Sequence, residues 1–205
     1  DKFIIKELSQ KLNNILPNLI EVEVQDDKAN NQYLISVKSE DGKHFSSRVL
    51  SEGTLRLITL CIFLFDEFHR GLLCYEEPEN GIHPFRISAL TNLLSDLSVN
   101  FQDTNTPLRQ ILVNTHSPVL VGEIVKWSYD NRVSIWYSQL NSLILETNTG
   151  KKKISITRML PVVKEHQSRT LFGDLNLGER QIKLTLSQVR KYLETTDAEQ
   201  SLQAL

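Results

Sequence analysis

The chain has 205 residues, 40% hydrophobic and 23% charged, with only 8 Gly and 6 Pro. This excludes a disordered, collagen-like or low-complexity chain and is long enough to bury roughly 70% of the unfolded surface. Its 23 basic and 25 acidic residues leave a formal net charge of −2, so no global field draws it to nucleic acid and any such contact has to be local. No apolar run approaches the ~18 residues of a membrane span, and Asp1 to Pro17 mixes charged and apolar residues as no secretory signal does. The expected location is therefore cytoplasmic with no membrane partner. The start at Asp1, without Met, suggests a piece of something longer.

Residues 2–16 carry Phe3, Ile4, Leu8, Leu12, Ile15 and Leu16, an amphipathic helical stripe stopped by Pro17. Two alternating segments follow, Ile20 to Val24 and Tyr33 to Val37. A turn at Asp41-Gly42 leads to a short strand near Phe45, and together they predict an antiparallel meander. From Leu50 the texture changes. A strongly apolar helix is expected from Leu55 to Phe68, broken by Gly71. Leu72-Leu73-Cys74-Tyr75 and Gln110 to Asn114 read as buried strands, separated by a helix over Pro84 to Leu97 and a polar loop from Asp103 to Pro107. A helix over 118–126 follows. Wholly apolar strands alternating with helices predict a parallel sheet and an α/β fold. The tail offers three strands, Val133 to Tyr137, Leu143 to Thr147 and Ile154 to Arg158, then a helix over Glu179 to Glu194 with Ile182, Leu186, Val189 and Leu193 on one face. The division expected is 1–49 for the first helix and meander, 50–130 for the core, and 131–205 for the tail.

Cys61 and Cys74 form no C-x-x-C pair and each sits in an apolar stretch, so both are expected as packed thiols. The five histidines are scattered, with no H-E-x-x-H and no Cys/His cluster, which gives a zinc site little support. Lys151-Lys152-Lys153 reads as a solvated turn.

Three segments carry chemistry. Ser51-Glu52-Gly53-Thr54 opens a helix, where a hydroxyl, backbone N–H groups and the helix dipole make an anion site; the plainer reading is a Ser N-cap. Glu76-Glu77-Pro78-Glu79 ends an apolar strand. Adjacent carboxylates there suit a Mg²⁺ ligand (Glu76) and a general base for an attacking water (Glu77), or else a solvated acidic turn. Asn114-Thr115-His116-Ser117-Pro118 ends the second strand, where His116 either hydrogen-bonds a phosphate or water or is a structural histidine.

In this order the three segments resemble the C-terminal part of an ABC-type, P-loop NTPase head, over roughly residues 45–125. The wording Ser-Glu-Gly-Thr, Glu-Glu-Pro-Glu-Asn-Gly-Ile-His-Pro and Asn-Thr-His-Ser-Pro is similar to AAA-family ATPases of the RecF/SMC/OLD-like group, which includes Septu- and OLD-type anti-phage ATPases. The resemblance implies ATP and Mg²⁺ as cofactors, Ser51, Glu52, Gly53 and Thr54 as a signature loop, Glu76 as the Mg²⁺ ligand, and Glu77 and His116 as the catalytic pair. Glu79 to His83 fall where the D-loop lies. It further implies a homodimer clamping ATP head to head, a DNA-linked or defence process, and a nuclease effector as partner. The sequence departs from the pattern at Glu52, where transporters carry Gly, and at Glu76, where Asp is usual. It also lacks G-x-x-x-x-G-K-[ST], so the resemblance is to the second half of such a head. Two other classes stay open: a nuclease using Glu76, Glu77 and Glu79 on metal ions, and a non-catalytic interaction module.

Overall fold

The computed structural model describes residues 2–102, 107–127, 132–147, 150–162 and 179–194. Four of the five positions of the expected Asp103–Pro107 loop lie outside them. The described chain divides into two compact units, 1–120 and 121–205.

The first unit is mixed α/β. Helix α1 (Lys2–Ile15) buries Leu8, Leu12 and Ile15, while Phe3 and Ile4, expected in the same stripe, are exposed. Ser9 joins helix to sheet: its hydroxyl donates to the Ile5 carbonyl (2.7 Å) and accepts from Val22 N–H (2.9 Å). Strands β1 (Leu19–Asp27), β2 (Gln32–Ser39) and β3 (His44–Ser46) form the expected antiparallel meander, with Val22 opposite Val37 at its buried centre.

Helix α2 (Glu52–Phe65) starts earlier than its apolar run, because Ser51 caps it and Glu52 sits favourably in the first turn. It ends at Phe65 rather than Phe68. Arg109, 5% exposed, donates to the carbonyls of Leu64 (3.4 Å), Asp66 and, through Nε, His69 (2.8 Å), supplying donors where a helix end leaves carbonyls unpaired. Gly71 does not break the helix; it opens β4 (Gly71–Glu76). Helix α3 (Ile87–Leu97) buries Leu90, Leu93, Leu94 and Leu97 and leads to β5 (Arg109–Asn114). The parallel pairing holds: β4 and β5 run side by side from Gly71↔Arg109 to Glu76↔Asn114. Their expected burial on both faces does not. Leu73, Tyr75, Ile111 and Val113 are half-buried, whereas Leu72 (57%) and Leu112 (59%) are exposed on the other face. Cys74 lies on this open face, so only Cys61 is the packed thiol expected of both. Helix α4 (Pro118–Val125) begins after Ser117, whose Oγ accepts from Leu120 N–H (3.3 Å), with Pro118 in the first helical position.

In the second unit the three expected strands are two, β6 (Trp136–Thr147) and β7 (Gly150–Pro161), paired antiparallel along their full length. Lys151, Lys152 and Lys153 lie in β7, not in a turn, and Lys151 reaches Glu146 at 3.7 Å. Helix α5 (Glu179–Glu194) has the expected bounds and buries Leu186, Val189 and Leu193, while the side chain of Ile182 lies outside those described. No described helix is long and apolar enough to cross a membrane.

Candidate active site

The site forms where β4 and β5 end, because parallel pairing brings their C-terminal residues level, Glu76 opposite Asn114. One further rung follows: Glu77 N–H donates to the Asn114 carbonyl (2.8 Å). Glu77 then takes φ +46°, a left-handed conformation uncommon for a residue with a Cβ. That turn brings Glu77 Oε1 to 3.0 Å from His116 Nδ1, with side chains 33% and 82% exposed. The sequence-predicted pair is thus in direct contact. Glu76 is exposed beside them.

The next residues tie the two strand ends together. Thr115 donates a short hydrogen bond to Glu79 Oε1 and accepts from Ser117 N–H (2.9 Å). The second oxygen, Glu79 Oε2, is buried and has no hydrogen-bond partner among the described residues. The hydrogen-bonded turn continues with Asn80 N–H on the Glu77 carbonyl (3.0 Å) and Ile82 N–H on that of Glu79 (2.9 Å).

Ser51 and Thr54 sit at the exposed N-terminus of α2. Ser51 Oγ accepts from Thr54 N–H (3.2 Å) and lies 2.9 Å from Thr54 Oγ1, so the N-cap is present. Gly53 is buried against the Glu79–Gly81 turn. A Cβ on Gly53 would stand 2.1 Å from the Gly81 carbonyl oxygen, and Gly81 itself has φ +75°. The neighbour that comes closest to this glycine on its Cβ side is therefore backbone of the same chain.

Arg56, which the sequence reading passed over, connects the two segments. Its Nη2 and Nε reach Glu52 Oε1 at 2.7 and 3.1 Å, while Nη1 donates to the carbonyls of Glu77 (2.9 Å) and Glu76 (3.2 Å). Its guanidinium lies 6.0 Å from the centre of the Tyr75 ring. The Glu52 hydrogen bond holds the Arg56 pKa above its usual value, and burial pushes the Tyr75 hydroxyl up. The signal available in sequence was the Glu52/Arg56 spacing, an i,i+4 ion pair on one helix face. Glu79 and Gly81 were placed only by motif, and Thr115 carried no signal of its own.

The donor set sorts the metal readings. No three His, Cys, Asp or Glu side chains among the described residues form a group able to hold a metal ion, so Glu76, Glu77 and Glu79 do not converge as a nuclease centre needs. A single exposed carboxylate at a strand end does fit Mg²⁺, which commonly takes one or two carboxylates and completes its shell with phosphate and water. The residues fit ATP in part: an anion-competent helix N-terminus and a carboxylate–histidine pair are present, and the phosphate-loop motif is not in the sequence.

Residues 3–122 match the family described as "AAA domain, putative AbiEii toxin, Type IV TA system". The chain belongs to this family of AAA-type ATPases, ATP-binding proteins of the P-loop NTPase fold. No curated protein matches it. Among solved structures, it is similar to one from work on ATP-driven dimerization and DNA-stimulated activation of SMC ATPases (11% identity, 92% of each chain covered, TM-score 0.46). It is also similar to Smc head domains of Pyrococcus furiosus, bound to the C-terminal domain of ScpA (10%, 76% of this chain and 35% of that chain, TM-score 0.44), and of Pyrococcus yayanosii (10%, 76% and 27%, TM-score 0.44).

Proposed function

We propose that these residues are the signature and catalytic-carboxylate part of an ABC-type ATPase head. In this reading the head hydrolyses ATP when a phosphate-binding loop from polypeptide outside the 205 residues completes it and a second copy pairs with it. The observation that carries the reading is the 3.0 Å Glu77–His116 contact at the carboxyl ends of two parallel strands, where such sheets take ligands. Glu77 orients the attacking water and accepts its proton. His116 holds the carboxylate from one side and presents its exposed ring to the phosphate side. Glu76 is the Mg²⁺ ligand, and Mg²⁺, when bound, offsets the charge on the phosphate oxygens. This division of labour suits a reaction that depends on positioning and charge stabilisation.

Ser51, Glu52, Gly53 and Thr54 form the signature loop and face the nucleotide held by the second copy, where the hydroxyls and the N-terminus of α2 favour an anion. The open face of β4 and β5, with Leu72 and Leu112 exposed, supports a completing segment at that place, because parallel sheets are normally covered on both faces. The toxin–antitoxin wording of the family description favours a defence setting, while a DNA-linked process and a nuclease effector rest on the sequence resemblance alone.

The test uses the complete ATPase. Glu77→Gln is expected to accumulate an ATP-bound dimer in sedimentation. Ser51→Arg is expected to abolish that dimer while ATP binding persists. A Glu77→Gln protein that turns over ATP normally and stays monomeric would overturn the reading.

A further inference from the structure

We infer that Arg56 is a positioning residue that couples the signature end of α2 to the catalytic carboxylate by holding Glu77 in its left-handed backbone conformation. This rests on the reading of Glu77 as the base. One guanidinium is shared between two motifs: Nε and Nη2 on Glu52 in the first turn of α2, and Nη1 on the carbonyls of Glu76 and Glu77. The Glu77 φ of +46° is unfavourable for a residue with a Cβ and persists only if its neighbours hold it. Three hydrogen bonds do so: Glu77 N–H on Asn114, Asn80 N–H on the Glu77 carbonyl, and Arg56 Nη1 on that same carbonyl. Of these, only the Arg56 bond originates in α2. Gly53 packed on Gly81 is a second, independent contact between the same two segments.

A force on Glu52 or on the α2 N-terminus therefore reaches the Glu77 peptide directly through the Arg56 side chain, beside the indirect path from Gly53 to the Glu79–Gly81 turn. In a paired head, docking of the signature loop on the second copy's nucleotide and alignment of Glu77 with its water become linked events. Lysine cannot replace this arrangement, because an ammonium lacks the planar fork that serves a carboxylate and two carbonyls at once.

The first experiment is hydrogen exchange on the complete ATPase. Arg56→Gln is expected to speed exchange of the Glu77 and Asn80 amides about tenfold or more, with the β1–β2 amides unchanged as the control for folding. Glu52→Gln, which frees the guanidinium without removing it, is expected to give a smaller change at the same amides. Unchanged exchange at Glu77 in Arg56→Gln overturns the inference.

The second is kinetics of the complete ATPase. Arg56→Gln is expected to lower kcat on the order of 100-fold with KM within about twofold, and Arg56→Lys to recover only part of it. Arg56→Gln/Glu77→Gln is expected to be no slower than Glu77→Gln alone, since both act at one step. Multiplying losses in the double variant, or a KM effect with kcat intact, overturns the coupling. Normal turnover by Glu77→Gln alone overturns the base assignment instead, and the exchange result separates the two failures.

Discussion

Gly53→Ala isolates the contact that seats the signature helix against the Glu79–Gly81 turn. The added methyl would meet the Gly81 carbonyl oxygen at 2.1 Å, its carbon at 2.6 Å and the Ile82 nitrogen at 3.1 Å. All three are main-chain atoms, so no side-chain rotation relieves the overlap. Carbon atoms pack best at about 3.5–4.0 Å, so the two segments must separate by roughly an ångström. Helix propensity alone favours Ala over Gly by up to about 1 kcal/mol, and overpacking of this kind costs about 1–3 kcal/mol. The clash wins, and a net loss of about 1–2 kcal/mol is expected. At about 2–4 °C per kcal/mol for a chain of this length, the midpoint falls by roughly 2–8 °C. Thermal and urea unfolding of Gly53→Ala measure it, with Thr59→Ala on the exposed side of the same helix as a control expected to stay near wild type. A Gly53→Ala protein as stable as wild type, or more so, would refute the claim that the approach constrains the fold.

Arg109→Gln is expected to cost about 2–3 kcal/mol in urea unfolding, because it strips charge-assisted hydrogen bonds from the carbonyls of Leu64, Asp66 and His69 in a buried place; a change under about 0.5 kcal/mol would contradict it. In thiol labelling of the native chain, Cys74 is expected to react fast and Cys61 only on unfolding, since Cys74 is exposed and Cys61 buried; two fast thiols would contradict the burial. Burial pushes the Cys61 thiol from 9.0 up to about 11. The unfolded chain therefore releases this proton first, and the stability it contributes is intact below about pH 9 and lost as pH rises towards 11, a total of about 2–3 kcal/mol. Cys61→Ala is expected to flatten that decline in stability measured across pH 9–11, and an unchanged slope would count against it.

The elements legible in the sequence were those announced by local chemistry. Ser51 marks its helix by a cap, and Gly71–Glu76 and Arg109–Asn114 mark themselves by apolar runs ending in polar residues. The carboxylate and the histidine were named together by the resemblance, and the structure explains their contact: parallel strands in register bring their ends level. What the sequence could not tell was which faces are covered. An apolar run reads the same whether one face of a strand is buried or both, so the exposure of Leu72, Cys74 and Leu112 was not foreseen. Strands β6 and β7 looked like shorter pieces because Asn141 and Ser142, and the lysine run, resemble breaks, yet ladder pairing carries polar residues through. Ser51 to Thr54 read as an anion site, and the backbone that comes close to Gly53 belongs to Gly81, a residue 28 positions away. Arg56 was overlooked for the same reason: its carbonyl partners are tertiary, and only its Glu52 partner lies within one helix.

The most direct test of the catalytic reading is single-turnover ATP hydrolysis by the complete ATPase, wild type against Glu77→Gln, with ATP affinity measured on the same samples. If Glu77, held against His116 at the strand ends, activates the attacking water, the rate falls about 10²–10⁴-fold while affinity stays within about twofold. A Glu77→Gln protein that hydrolyses ATP at the wild-type rate would show that the Glu77–His116 pair does not do the chemistry.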